Sequence, residues 1–169
     1  MEFRIRPARP EDADDINVIR VSEGVCENIL ALPSERVTFM DEWLEKLSDN
    51  DHVFVAEAVG GAAEGLVVGL IGIHVNSLAR LSRSAGFGLM VHPGYQGKGV
   101  GGQLLDRVLD LADNWLMLAR VELSVFCDNE RAVSLYSSRG FVKEGVKRCY
   151  AIRNGKLADA FMMARIIEN

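Results

Sequence analysis

Little in this sequence invites covalent cross-linking or metal ligation. Its three cysteines, Cys26, Cys127 and Cys149, are scattered, odd in number and form no close pair. That pattern suits reduced thiols better than a disulfide framework or a zinc site. Each reads as a small buried hydrophobe before it reads as a nucleophile. His52, His74 and His92 are equally unclustered, so no metal is expected. Long apolar runs are also missing. The longest, Gly65 to Ile73, is interrupted by glycine and falls far short of the roughly 20 residues a membrane helix needs. Residues 1–6 alternate charge with apolar side chains and contain no signal-peptide core, which predicts a cytoplasmic protein without a membrane partner. Excess positive charge is absent too: the net charge of −5 leaves no basic face for nucleic acid. An anionic ligand must therefore be held locally. Without repeats, low-complexity segments or a linker, the 169 residues are expected to form one domain, 1–169.

What is present is strong periodicity. Phe3 to Arg6 reads as a strand, and Pro10-Glu11-Asp12 opens a helix running to about Glu23. Pro33-Ser34 opens a second helix with Val37, Met40, Leu44 and Leu47 on one face, ending near Asp49. His52 to Val59 and Gly65 to Val75 read as a hairpin of buried strands, and Ser84 to Val91 as a further strand. A long amphipathic helix begins at Val100 and reaches Trp115. Val121 to Phe126 is the next strand, and Asp128-Asn129 caps a helix that stops before Gly140. Two strands, about Val142 to Ile152 and Leu157 to Ile166, close the chain around an Asn154-Gly155 turn. The order β α α β β β α β α β β predicts an α/β fold, a mixed sheet with helices on its faces.

The segment carrying chemistry is His92-Pro93-Gly94-Tyr95-Gln96-Gly97-Lys98-Gly99-Val100-Gly101-Gly102, between a strand and the long helix. Glycines let a backbone approach an anion closely, and a helix N-terminus offers unpaired N–H groups with the dipole behind them. Lys98 adds a positive charge. The segment lacks the lysine-serine or lysine-threonine ending of a P-loop, and the first strand carries no dinucleotide fingerprint, so ATP and NAD are disfavoured.

With Gln96, Gly99 and Gly101 in the pattern Gln/Arg-x-x-Gly-x-Gly/Ala, the sequence resembles the GNAT superfamily of N-acetyltransferases. The resemblance extends over nearly the whole chain. It takes in Ile5-Arg6-Pro7-Ala8, the Val91-x-Pro93 approach, and Asn129-x-x-Ala132-x-x-Leu135-Tyr136-x-x-x-Gly140-Phe141. It implies a mainly antiparallel sheet splayed at an acetyl-CoA site, with Leu89, Met90 and Val91 holding pantetheine. Gln96, Gly97, Lys98, Gly99, Val100, Gly101 and Gly102 would grip the pyrophosphate. Asn129 would bond the pantetheine arm, with Ala132 leaving room for it. Tyr136 would sit by the thioester sulfur as the acid that protonates the departing thiolate. The amide of Met90 or Leu89 would stabilise the oxyanion.

Two departures stand out. Where many relatives place a glutamate on the central strand, this chain has Gly86-Phe87-Gly88, so no general base is evident. Candidates for the base or for acceptor contacts are Glu27, Asn28, Glu57, His74 and Glu122, with Ser124 at a position where some relatives carry glutamate. Glu57 is expected to be desolvated inside its apolar strand, with a raised pKa. Ser138 also stands where lysine is common, which shifts any 3′-phosphate contact toward Lys98 or Arg131. Lys147 to Asp159 resembles the closing hairpin of bacterial relatives acting on amino acids, polyamines or ribosomal protein N-termini. Asp113 to Asn129 is similar to bacterial L-amino acid N-acetyltransferases. The acceptor implied is a small-molecule amine, the alternatives being a polyamine, a protein N-terminus or a noncatalytic CoA sensor. The apolar run Ala160 to Ile167 suggests a homodimer through the C-terminal strands.

Overall fold

In the computed structural model, which describes residues 2–168, seven strands form one open sheet ordered β1-β2-β3-β4-β5-β7-β6. The elements in chain order are β1 (Glu2–Pro7), α1 (Ala13–Val21), α2 (Val37–Glu45), β2 (Asp51–Val59), β3 (Val67–Val75), β4 (Ser84–Val91), α3 (Val100–Asn114), β5 (Arg120–Phe126), α4 (Glu130–Ser137), β6 (Val142–Arg153) and β7 (Lys156–Ile166). Every neighbouring pair is antiparallel except β4 and β5. The sheet is mixed and mainly antiparallel, as expected.

The apolar strands are continuous because both faces of the sheet are covered. Phe54 and Ala56 of β2 point into the core under α3, whereas Val53 and Val55 point into a second core under α1 and α2. α3 buries Val100, Leu104, Leu105, Val108, Leu109 and Ala112, a stripe at helical spacing. Each large side chain so buried contributes about 1.5–3 kcal/mol of transfer free energy. The helix sits unusually close to β3: a Cβ on Gly69 would lie 3.0 Å from both Leu104 Cδ1 and Val100 Cγ1. That contact fixes the first turn of α3 against the sheet.

β4 pairs with β5 only from Ser84 to Gly86, opposite Arg120 to Glu122. Beyond Gly86 the ladder stops, and the two strands leave a gap that ends at the glycine loop. This is the splay the sequence implied.

Some helix limits differ from expectation. Pro10–Asp12 forms a short 3₁₀ turn before α1, which stops at Val21 because Ser22 is extended. α2 begins at Val37 rather than at Pro33-Ser34. Residues 32–35 instead close a turn, with the Glu35 amide donating to Leu32 O and the Leu32 amide donating to Glu35 Oε1. Arg20 anchors that same carboxylate at 2.8 Å. The other end of α2 is cut short by a Ser48–Asp51 turn, in which Asp51 Oδ2 accepts from both the amide and the hydroxyl of Ser48.

Candidate active site

The loop before α3 is shaped by its own side chains and by glycine. Gln96 Nε2 donates to Val91 O at 2.9 Å, tying the loop back to the end of β4. Gly97 and Gly99 have φ of +74° and +83°, where a Cβ is strained. Among the described residues, the backbone amides of 97–102 donate to no backbone carbonyl, and the first helical bond is Gln103 N to Gly99 O at 3.1 Å. Six successive amides without backbone acceptors, at the positive end of a 15-residue helix, form an anion-binding nest.

Beside the nest lies a cavity of about 320 Å³ that follows the gap between β4 and β5. It is lined by Leu89, Met90, Val91, Gln96, Gly97 and Gly101, by Asn129, Ala132 and Tyr136 of the α4 segment, and by Asn28 from the loop after α1. The structure thus brings most of the residues singled out from sequence to one place. A Cβ on Gly101 would meet Leu135 Cδ2 at 3.4 Å, so α3 and α4 approach closely there. Asn129 caps α4, its Oδ1 accepting the Ala132 amide at 3.2 Å.

Ladder alternation determines which backbone groups face the gap. His92 N donates to Val68 O at 2.9 Å, and the register continues with Met90 opposite Leu70. Even-numbered residues of β4 therefore bond to β3, leaving the amides of Leu89 and Val91, beyond the last pairing with β5, turned toward the gap. Of the two oxyanion donors considered, Leu89 has the accessible N–H.

Tyr136 is buried against Phe87 and Phe141, with ring centroids at 5.6 and 6.0 Å. Its hydroxyl makes no hydrogen bond among the described residues, and the side chain lines the cavity. Burial pushes its pKa up to about 12, so it is a neutral donor at any ordinary pH.

Other expected residues lie elsewhere. The Lys98 ammonium turns back to Gly94 O at 2.7 Å and sits over the Tyr95 ring, whereas Arg131 lines the cavity and donates to Gln96 Oε1 at 2.6 Å. Val100 is packed in the core, and its amide alone is available to the nest. Gly102 lies under the Arg139 guanidinium, itself paired with Asp106 at 3.0 Å. Glu27 caps the Gly24 amide at 2.7 Å and borders a separate shallow pocket shared with Asn28.

Glu57 requires a correction. It is buried, but hydrogen bonds from Arg6 and then Arg4 outweigh burial and hold its carboxyl below the usual range. Arg6 also holds Asp12 at 2.8 Å, so Glu57 belongs to an ion-pair cluster joining β1, β2 and the turn before α1. It lines none of the cavities around the splay and is not a poised base. His74, exposed and 2.7 Å from Asp51 Oδ1, borders a neighbouring cavity with Glu122 and Ser124. Glu122 is paired with Arg120 at 2.6 Å. Among the described residues, no carboxylate lines the main cavity.

Sequence reasoning missed Tyr150, which borders the main cavity and the neighbouring one. It is presented by a bulge in β6, where pairing with β7 skips from Lys147 to Ala151 and Cys149 has φ of 52°. No glycine marks that bulge, so the sequence carries no signal for it. Gly88 was noticed for the glutamate it lacks, not for the space it leaves.

Comparison with known proteins agrees with this arrangement. Residues 24–141 match the acetyltransferase (GNAT) family. The chain is 34% identical to the L-amino acid N-acetyltransferase AaaT of Escherichia coli over 98% of both chains. It is 35% identical to the spermidine N(1)-acetyltransferase of Vibrio cholerae over 67% of this chain and 63% of that one. The crystal structure of spermidine N-acetyltransferase from Vibrio cholerae with CoA and spermine superposes with a TM-score of 0.83, at 27% identity over 97% of this chain and 95% of that one. The chain belongs to the GNAT family and is an N-acetyltransferase.

Proposed function

We propose that this enzyme takes its acetyl group from acetyl-CoA and transfers it, in a ternary complex, to the primary amine of a small molecule, an amino acid or a related amine. The observation carrying this reading is the continuity of one cavity from the nest of six amides, past the gap-facing Leu89, to the Tyr136 hydroxyl. The full-length similarity to an L-amino acid N-acetyltransferase supports the acceptor class.

The residues present fit acetyl-CoA. The donor supplies an activated thioester. The amides of 97–102 bind its pyrophosphate, with Arg131 nearby, and the small Ala132 and the Asn129 side chain flank the pantetheine arm. The Leu89 amide polarises the carbonyl oxygen as negative charge develops there. Tyr136, kept protonated by burial, gives its proton to the departing sulfur and regains one from the attacking nitrogen as the amide forms, so the net transfer is from nitrogen to sulfur. With no carboxylate among the described residues that line the cavity, the acceptor enters as the free amine, its ammonium proton having passed to water. The same reading takes the enzyme to be cytoplasmic and a homodimer, and exposed apolar side chains on the β6–β7 hairpin support the second of these.

Thiol release from acetyl-CoA against L-amino acids, polyamines, aminoglycosides and N-terminal peptides tests the proposal. Selective release with amino acids is expected, and Tyr136→Phe lowers turnover by about 100- to 10,000-fold without loss of CoA affinity. Calorimetric binding of acetyl-CoA without turnover on any amine would instead make the protein a noncatalytic sensor.

A further inference from the structure

Gly88 borders three cavities at once: the one just described, a second of about 290 Å³ under α1 and α2, and a third of about 500 Å³ lined by residues of β3, β4, β5, β6 and β7. Glycine inside a strand weakens it, and its usual reason is the close approach of another group. Here a Cβ on Gly88 would meet nothing within 4 Å, and one on Gly86 would meet only Glu122 O at 3.9 Å. The strand is bare where the gap between β4 and β5 opens to the opposite face of the sheet. An acceptor amine can reach the gap at Gly88 without crossing the donor cavity.

The two flanking cavities differ in chemistry. The second is walled by Ile29, Phe39, Met40, Trp43 and Leu70, and Arg20, its one charged member among the described residues, is held by both oxygens of Glu35 at 2.8 and 3.1 Å. It suits an apolar group. In the third, the charged side chains are already engaged with one another: Arg120 bridges Glu122 and Glu144, and His74 bonds Asp51. Lys147 is the exception. Its ammonium has only neutral partners among the described residues, Ser124 Oγ at 2.9 Å and the Tyr150 ring at 5.1 Å. Ser124 and Tyr150 also line the donor cavity, so this cation stands at the opening.

Resting on the reading that the enzyme acetylates a small amine, we propose that Lys147 binds the α-carboxylate of the acceptor while the Phe39–Trp43 cavity takes its side chain. The acceptor is then a free α-amino acid with an apolar side chain. Its amine, carboxylate and side chain diverge from one carbon, as the three cavities diverge from Gly88. A polyamine would meet the Lys147 ammonium at the opening, and a peptide N-terminus would offer Lys147 an amide in place of a carboxylate.

The test compares L-leucine with L-leucinamide as acceptors for the wild type, Lys147→Gln and Lys147→Arg. The wild type is expected to favour leucine. Lys147→Gln should lower kcat/KM for leucine by about 10- to 100-fold, mainly through KM, and leave leucinamide unchanged. Lys147→Arg should restore part of the loss. Because the ratio of the two substrates is read within one variant, a general defect in folding cancels. Equal losses on both substrates, or none on leucine, would overturn the role of Lys147 while leaving amine acetylation intact. If neither compound is acetylated but a polyamine or peptide is, the acceptor class falls as well. If no amine is acetylated, the transfer reading itself fails and this inference with it.

Discussion

The Tyr136 hydroxyl is shut away from bulk water by Phe87 and Phe141 yet opens on the donor cavity, and that environment has a measurable thermodynamic consequence. Its pKa of about 12 in the fold stands above the ordinary tyrosine value of 10. The stability gained from keeping it neutral is complete below pH 10, where both states hold the proton. It is lost as pH rises toward 12, because the unfolded chain ionises first. At about 1.4 kcal/mol per unit, the wild type should lose about 2 kcal/mol more than Tyr136→Phe between pH 9 and pH 11.5, read from urea unfolding. Identical pH profiles for the two proteins would mean the ring is not held as described. Tyr136 and Asn129 were legible in the sequence because a dense motif surrounds them. Glu57 misled for a physical reason: its apolar neighbours in β2 signal burial, but the partners that set its charge, Arg4 and Arg6, come from β1, more than fifty residues earlier. Tyr150 was invisible for a related reason, since a bulge that no glycine announces carries it to the site.

At the level of elements, periodicity and punctuation located every strand and helix, with their ends displaced wherever a side chain competed with the backbone. Glu35 and Asp51 are the clearest instances, each closing a turn that periodicity alone would assign to α2. The loop before α3 was legible because glycine is needed there. Gly99, at φ of +83°, immediately precedes the helix and helps aim its first amides. Alanine at this position pays about 1–2 kcal/mol in the left-handed conformation, a cost that falls on folding if the loop keeps its shape and on binding if it relaxes. For Gly99→Ala, the loss of unfolding free energy and the loss of CoA-binding free energy should together reach that amount. Relaxation alone would weaken CoA binding about 5- to 30-fold. Denaturant unfolding and calorimetry on the same preparation give both quantities, and no loss in either would show that the nest does not depend on this conformation.

Across the whole molecule, the sheet runs from β1, tied down by the Arg6 cluster, to β6, which has a neighbour on one side only. Long free edges invite pairing with other chains, and proteins blunt them with bulges and lysines. β6 has both: register shifts at Lys143/Gly145 and Lys147/Ala151, and lysines at 143 and 147. Edge-to-edge strand addition is thereby disfavoured, but the hairpin still displays Val146, Ile152, Leu157 and Ile166, with Ile152 79% and Leu157 60% exposed. These last two pair across the hairpin tip and form one small apolar face. If that face packs against a second copy, it contributes to an interface of about 1,600 Å², and light scattering of the wild type should give twice the chain mass. Ile152→Asp with Leu157→Asp places two carboxylates on each side of the contact and should yield monomers. Both substitutions lie on exposed positions remote from the core, so the unfolding midpoint of the isolated chain should barely move. A wild type that stays monomeric at high concentration would instead leave the hairpin's apolar face unpaired, and the active site complete within one chain.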